Sequence, residues 1–350
     1  MKLSVVVPVY NVERFLPRCL GSLLHQGLLP EEYEVICVND GSLDNSAAIL
    51  EEYRAKYPAI FKVITQENQG LGGARNTGTT VAQGEYVTYI DSDDYVIDNA
   101  YSYLLEHFCQ DQPDVLCYGH RCIFTDGTVL SDPGAKPDGE IIYDGDGVEA
   151  FNRWPLSFVW SKFYRRAFLE KHDIKSEIVI CQDEIFNFDV FKYHPHTRIV
   201  SSSVCRYENG NPSSIQTISK KEIVLVQLND LIYNLGLMRK YLESGNKDLL
   251  PAANRTIDNF INVYYHKLLR SERLTKDEWT RNGRLMKGYS ISPERRKEYT
   301  HFLEKLMLWM SEWAATSYVG YVLIYFIRHT LFQYIYYPLF IARRRQRKIE

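Results

Sequence analysis

The richest concentration of chemically active side chains in the sequence is Asp91-Ser92-Asp93-Asp94, delivered by the apolar run Tyr86-Val87-Thr88-Tyr89-Ile90. Carboxylates crowded this closely repel one another unless a cation sits among them. Hard oxygen ligands suit magnesium or manganese, ions that commonly bridge to substrate phosphates, so the motif is either a divalent metal site or a solvated acidic turn. On an extended strand, residues two apart point to one side; Asp91 and Asp93 would then converge while Ser92 faces away.

Other candidates also follow apolar runs. Asp40, in Asn39-Asp40-Gly41-Ser42, stands where a nucleobase or ribose would be gripped, or else belongs to an ordinary turn before a helix that Asp44 caps. Gln69-Gly70-Leu71-Gly72-Gly73-Ala74-Arg75-Asn76 opens a helix with glycines that let backbone approach a phosphate, and a helix start favours anions. It has neither the spacing of a dinucleotide fingerprint nor the Gly-Lys-Ser/Thr of a Walker loop. Arg75 is a permanent cation there, for the nucleotide or for a surface ion pair. Pro8 removes a backbone donor at the end of the first apolar run, and Tyr10 beyond it is placed to stack on a base or simply to pack.

These candidates share a position in a larger pattern. From Leu3 to about Ile123, short Val- and Ile-rich runs alternate with stretches of helical period. Strands are expected at Leu3–Val9, Glu34–Asn39, Phe61–Thr65, Glu85–Ile90 and Val115–Cys122, with helices at Val12–His25, Asn45–Tyr57 and Gly73–Ala82. Continuous apolarity implies strands covered on both faces, and βαβ order implies an open, mostly parallel sheet with ligands beyond the carboxyl ends of its strands. Residues 126–211 are less regular, with a helical run at Asp183–Lys192, and are expected to form a lid or acceptor-side extension. Amphipathic stretches at Lys220–Ser244, Ala252–Arg273 and Pro293–Trp313 predict a helical extension.

Ser4-Val5-Val6-Val7-Pro8-Val9-Tyr10-Asn11, Val38-Asn39-Asp40-Gly41-Ser42, Asn68-Gln69-Gly70 with Gly73-Ala74-Arg75-Asn76, and Ile90-Asp91-Ser92-Asp93-Asp94, in that order, resemble the family 2 glycosyltransferases of GT-A fold. The resemblance is clear over the first third of the chain and weaker to about residue 215. It implies an α/β, Rossmann-like fold: a mixed, mostly parallel sheet flanked by helices, here with a helical C-terminal extension. It implies an inverting enzyme of bacterial cell-surface polysaccharide assembly, moving a sugar from a nucleotide diphosphate, with a UDP-sugar the expected donor, to a hydroxyl of a glycan or lipid-linked acceptor. In that family the Asp-x-Asp motif binds Mn2+ or Mg2+ and the donor diphosphate, which implies that role for Asp91 and Asp93, with Asp40 contacting the nucleoside.

The family's Glu-Asp-x-x-Phe motif carries the general base. Its counterpart here is Cys181-Gln182-Asp183-Glu184-Ile185-Phe186, with Gln182 in place of the Glu, so Asp183 is the expected base or else only caps the helix it begins. Glu184 would point about 100° away around that helix. The expected donor-binding set is Pro8, Tyr10, Asp40, Arg75, Asp91 and Ser92. Trp160-Ser161-Lys162-Phe163-Tyr164-Arg165-Arg166 resembles a stretch of polysaccharide-assembling members, with Lys162 a candidate to hold a phosphate.

Composition bounds the setting. At 350 residues, 45% apolar and 24% charged, the chain is an ordinary globular protein, and its length favours a main domain with an appendage. The expected divisions are residues 1–215 for the transferase domain (nucleotide-sugar binding 1–125, acceptor side 126–215), 216–316 for the helical extension and 317–350 for a terminal segment. A net charge of -3 gives no reason to expect nucleic acid. The seven cysteines include no CxxC pair and fit a reducing compartment, and no signal peptide is evident at the N-terminus; a cytoplasmic catalytic part is therefore expected.

Tyr318 to Ala342 is crowded with Tyr, Phe, Ile and Leu, is interrupted by Arg328, His329 and Pro338, and ends in Arg343-Arg344-Arg345-Gln346-Arg347-Lys348. Each apolar half is short of the roughly 20 residues a spanning helix needs. Peripheral docking on the inner face of the cell membrane is expected, with basic residues contributing about 1 kcal/mol each beside an anionic leaflet. A helix pair packed on the body, with a solvated basic tail, is the alternative. Two rival functions are a nucleotidyltransferase, which would release pyrophosphate, and a non-catalytic membrane-docked scaffold, which would show no metal-dependent donor binding.

Overall fold

Every residue of β1 (Leu3–Val9) and β2 (Tyr33–Asn39) is buried, as strands covered on both faces require. The computed structural model describes residues 1–124, 129–130, 139–177, 181–209, 221–243, 247–270, 273–285, 312–315 and 317–327. Between and after the first two strands run α1 (Leu16–Leu23), α2 (Ser46–Lys56), β3 (Phe61–Thr65), α3 (Gly70–Val81) and β4 (Tyr86–Tyr89). Next come β5 (Tyr95–Val96), α4 (Ala100–Phe108), β6 (Val115–Phe124), β7 (Val129–Leu130), β8 (Ile141–Asp146) and α5 (Gly147–Arg153). A 3-10 turn, Val159–Ser161, leads into β9 (Lys162–Arg165), α6 (Arg166–Lys171), α7 (Gln182–Phe191) and β10 (His196–Asn209).

Ten strands join in one mixed sheet, ordered β3-β2-β1-β4-β9-β6-β10-β5, with β7 on β6 and β8 on β10. The pairs β1–β2, β2–β3, β1–β4 and β6–β10 are parallel, while β9 lies antiparallel between β4 and β6. This is the α/β, mostly parallel, helix-flanked sheet that the sequence predicts. A core of Val5, Val7, Leu20, Leu23, Val35, Leu50, Leu104, Leu116 and Phe163 packs against it. Gly78 brings α3 close, since a Cβ there would stand 2.4 Å from Val6 Cγ1.

Three local expectations are corrected. α1 begins at Leu16 rather than Val12, because Pro17 has no amide hydrogen and fits only in a first helical turn. β4 stops at Tyr89, and Asp91–Asp94 form a tight turn in which the Asp94 N–H donates to the Asp91 carbonyl at 2.9 Å. Strand alternation therefore does not orient Asp91 and Asp93. The region after residue 126, expected to be irregular, supplies β9 and the 14-residue β10, the latter bulged near Ser203. Its Ser201-Ser202-Ser203 run breaks the apolar pattern by which strands are recognised.

The chain divides into two compact units, Met1–Asn211 and Pro212–Glu350. The second contains α8 (Lys221–Glu243), α9 (Leu250–Arg270), α10 (Lys276–Leu285) and α11 (Tyr318–Ile327). Within it Trp279 Nε1 donates to the Ala314 carbonyl at 2.9 Å, and the Tyr321 hydroxyl accepts from the Leu274 N–H at 2.8 Å. The helix expected at Pro293–Trp313 and the basic end of the terminal segment lie outside the described residues, apart from 312–313. Among the described residues no helix is long and apolar enough to cross a membrane.

Candidate active site

Arg75, in the middle of α3 and 1% exposed, forks between two carboxylates: Nη2 donates to Asp91 Oδ1 at 2.9 Å and Nη1 to Asp183 Oδ1 at 2.5 Å. Asp91 follows β4, and Asp183 is the second residue of α7. One guanidinium thus gathers three residues that the sequence singles out separately. Burial works against the arginine's charge, but the two carboxylates outweigh it and hold its pKa above the ordinary value. Burial also pushes the Asp91 carboxyl up to about 6; Arg75 opposes that shift, and the charges of Asp183 and Asp93 add to it.

Asp183 Oδ2 accepts the Val159 N–H at 3.2 Å. Asn187, one helical turn on from Asp183, donates through Nδ2 to the carbonyls of Asp183 and Ser157, each at 2.8 Å, and accepts the Tyr164 hydroxyl at 3.0 Å. Lys162 is fully buried below the same loop, its Nζ donating to the Leu156 carbonyl at 3.2 Å and to the Phe158 carbonyl. Burial lowers its pKa to about 8, against the opposing charges of Cys117 and Asp183. The expected phosphate-holding role does not suit a lysine sealed in this way; it pins the loop that touches Asp183.

Asp40, 3% exposed, forms a second cluster at the start of α3. Its Oδ1 accepts from Gln66 Nε2 at 2.7 Å and from the Gln69 N–H at 2.9 Å, while Oδ2 takes no hydrogen bond from the described residues. Gly41, at φ +75°, turns the chain away from β2 just after it. Pro8 and Tyr10 stand at the end of β1, where pairing with β4 has stopped at Val6↔Tyr89 although pairing with β2 continues to Val9↔Asn39. Tyr10 is exposed, Ser92 is buried and Asp93 is half-buried. Gly72 lets α3 approach the segment before α7, since a Cβ there would lie 2.1 Å from the Glu177 carbonyl oxygen and 2.8 Å from Gln182 Oε1.

Among the described residues no three His, Cys, Asp or Glu side chains are gathered as a metal site. Asp91 and Asp93 nevertheless offer two hard carboxylates, and Asp91's raised pKa marks a charge that burial leaves under-compensated. That donor set fits a magnesium or manganese ion taking its remaining oxygens from phosphate and water.

Sequence reasoning misses Asn187, Val159 and the Arg75–Asp183 tie. Asn187 carries a visible signal: a polar residue four after Asp183, on the same helical face and flanked by Phe186 and Phe188. The other two are backbone and long-range contacts with no local signature.

A sequence model of glycosyl transferase family 2 matches residues 4–192. The chain belongs to that family. Among its relatives, EpsH of Bacillus subtilis is 32% identical over 291 residues, covering 80% of this chain and 78% of EpsH. The poly(ribitol-phosphate) beta-glucosyltransferase of Bacillus spizizenii is 31% identical over 195 residues, 55% of this chain and 30% of that enzyme. The fold is shared with the crystal structure of S. aureus TarS 1-349 in complex with UDP-GlcNAc, at a TM-score of 0.57 and 21% identity, over 94% of this chain and 92% of that one.

Proposed function

We propose that this family 2 glycosyltransferase transfers a sugar, with inversion, from a UDP-sugar to a hydroxyl of a glycan or lipid-linked acceptor in cell-surface polysaccharide assembly. The observation that carries the reading is the Arg75 fork, which holds Asp91, at the expected donor end, beside Asp183, the expected base. Support for uridine comes from Asp40: an ionised carboxylate only accepts hydrogen bonds, and the imide N–H of uracil is a donor it would take at Oδ2. The similar TarS fold has been crystallised with UDP-GlcNAc, and a relative acts as a poly(ribitol-phosphate) glucosyltransferase.

In the proposed reaction the acceptor hydroxyl attacks the anomeric carbon in a single in-line displacement, and Asp183 takes its proton. Val159 N–H and Arg75 orient the two oxygens of that carboxylate. Arg75 keeps Asp91 and Asp183 at a fixed separation, so that the base faces the carbon whose bond to the diphosphate breaks. A magnesium or manganese ion held by Asp91 and Asp93 would neutralise the departing diphosphate. No enzyme nucleophile is required. Pro8, Tyr10 and Ser92 complete the proposed donor pocket.

The terminal segment is proposed to dock the enzyme on the inner face of the membrane. Support comes from the aromatic helix α11 followed by the basic run in sequence. Co-sedimentation with anionic but not neutral vesicles is the expected result; binding to neither, or equally to both, would remove it.

The decisive experiment incubates the protein with a panel of nucleotide sugars and manganese or magnesium. Release of nucleoside diphosphate from one donor is expected; release of pyrophosphate, or of nothing from any donor, would sink the reading.

A further inference from the structure

The loop that touches Asp183 carries an aromatic cluster that the donor chemistry does not use. Phe158 stacks on Trp160 with ring centroids 4.8 Å apart and planes 26° apart, and Trp160 lies parallel to Tyr207 at 5.8 Å and 5°. Phe158 and Tyr207 are themselves 6.5 Å apart. His120 stands edge-on to both Phe158 and Trp160, at 5.1 Å and 4.8 Å. Trp160 is 2% exposed, but Phe158 keeps 39% of its surface in solvent.

A lone exposed phenylalanine needs no explanation. This one has an immobilised backbone: its carbonyl accepts from Lys162 Nζ and from Ser161 Oγ at 3.1 Å, and the carbonyl of Ser157 before it is held by Asn187. The N–H of the next residue, Val159, is on the proposed base. A ring on a firmly held backbone is therefore presented to solvent, one residue from the N–H that bonds the proposed base. Aromatic faces are electron-rich, and the less hydroxylated face of a pyranose presents a patch of C–H bonds with the opposite polarity.

We propose that Phe158, flanked by Tyr207 and backed by Trp160, is the stacking platform for the sugar ring of the acceptor. This rests on the proposed function, since it takes Asp183 as the base. Stacking there would turn one ring face to the protein and leave the edge hydroxyls free to meet Asp183, which makes the platform a determinant of acceptor choice rather than of donor choice.

The test uses the full-length chain with the nucleotide sugar it hydrolyses and three acceptor probes: the octyl β-glycosides of glucose, galactose and N-acetylglucosamine. Phe158→Leu removes the π face and keeps apolar bulk; Phe158→Tyr restores the face, and Tyr207→Leu provides an independent variant. For the probe that the wild type glycosylates, acceptor kcat/KM should fall about tenfold or more in Phe158→Leu, recover in Phe158→Tyr and fall in Tyr207→Leu. Donor hydrolysis without acceptor should stay within about twofold of wild type throughout. Unchanged acceptor kcat/KM in both leucine variants, equal loss of donor hydrolysis, or wild-type donor hydrolysis that no glycoside diverts into transfer would overturn the platform. Absence of any donor hydrolysis by the wild type would instead count against the function proposed above.

Discussion

Arg75 Nη1 meets Asp183 Oδ1 at 2.5 Å across 108 residues of sequence, and the second amino group of the same guanidinium holds Asp91. Removing the cation leaves two carboxylates without their partner in a buried setting. Arg75→Met should cost about 3–5 kcal/mol of unfolding free energy, as loss of one member of a buried ion pair does, and should abolish turnover. Arg75→Lys keeps the charge but not the fork, so it should recover stability more than activity. Denaturant titration beside diphosphate release checks both; a stable, active methionine variant would mean that the fork is incidental.

Asp183→Asn removes the proposed base and preserves shape. Transfer should drop by about 10²–10⁴-fold, with the donor's effect on thermal stability retained. Near-normal turnover would remove Asp183 as the base.

Asp93→Ala tests the cation. Calorimetry should give UDP binding to the wild type that depends on manganese and disappears with chelator, and the variant should lose that dependence. Identical manganese-dependent heats for both proteins would take Asp93 out of the ligand set.

Lys162 predicts a particular pH dependence. Its folded pKa of about 8 lies below the ordinary 10.5, so between those values the unfolded chain binds more protons than the folded one. Stability contributed by this residue therefore rises with pH across that window, by up to about 3 kcal/mol. The difference in unfolding free energy between wild type and Lys162→Met should grow in the wild type's favour from pH 8 to pH 10.5. A difference that stays flat would show that the lysine titrates normally. Turnover should also fall in the variant, because the Leu156 and Phe158 carbonyls lose their donor.

Gly78→Ala places a methyl 2.4 Å from Val6 Cγ1, beneath the helix that carries Arg75. A destabilisation of about 1–3 kcal/mol is expected by chemical denaturation, as for other overpacked cores. No measurable change would mean that α3 is free to shift.

Much of the scaffold was legible in the chain. The predicted strand Phe61–Thr65 coincides with β3, and Asn45–Tyr57 differs from α2 by one residue at each end. Buried parallel strands leave continuous Val and Ile runs, and helices leave a 3.6-residue period; both are local signals. Lys162-Phe163-Tyr164-Arg165 carries no local signal of β9, because a four-residue strand with a lysine and an arginine resembles no apolar run. Its lysine is tolerable inside only because two carbonyls of a neighbouring loop receive its hydrogens.

The layered α/β plan, the order of the motifs and the chemical types available at the strand ends are all encoded locally along the chain. Those follow from side-chain periodicity and from which residues can accept, donate or carry charge. Which of those residues meet is set by the packing of distant segments. Asp91 and Asp183 share one buried guanidinium, and the Val159 N–H reaches Asp183, because the sheet order sets β9 between β4 and β6 and α7 then packs against the turn that precedes β9. Contacts of that kind depend on how distant segments are stacked, and no spacing along the chain encodes them.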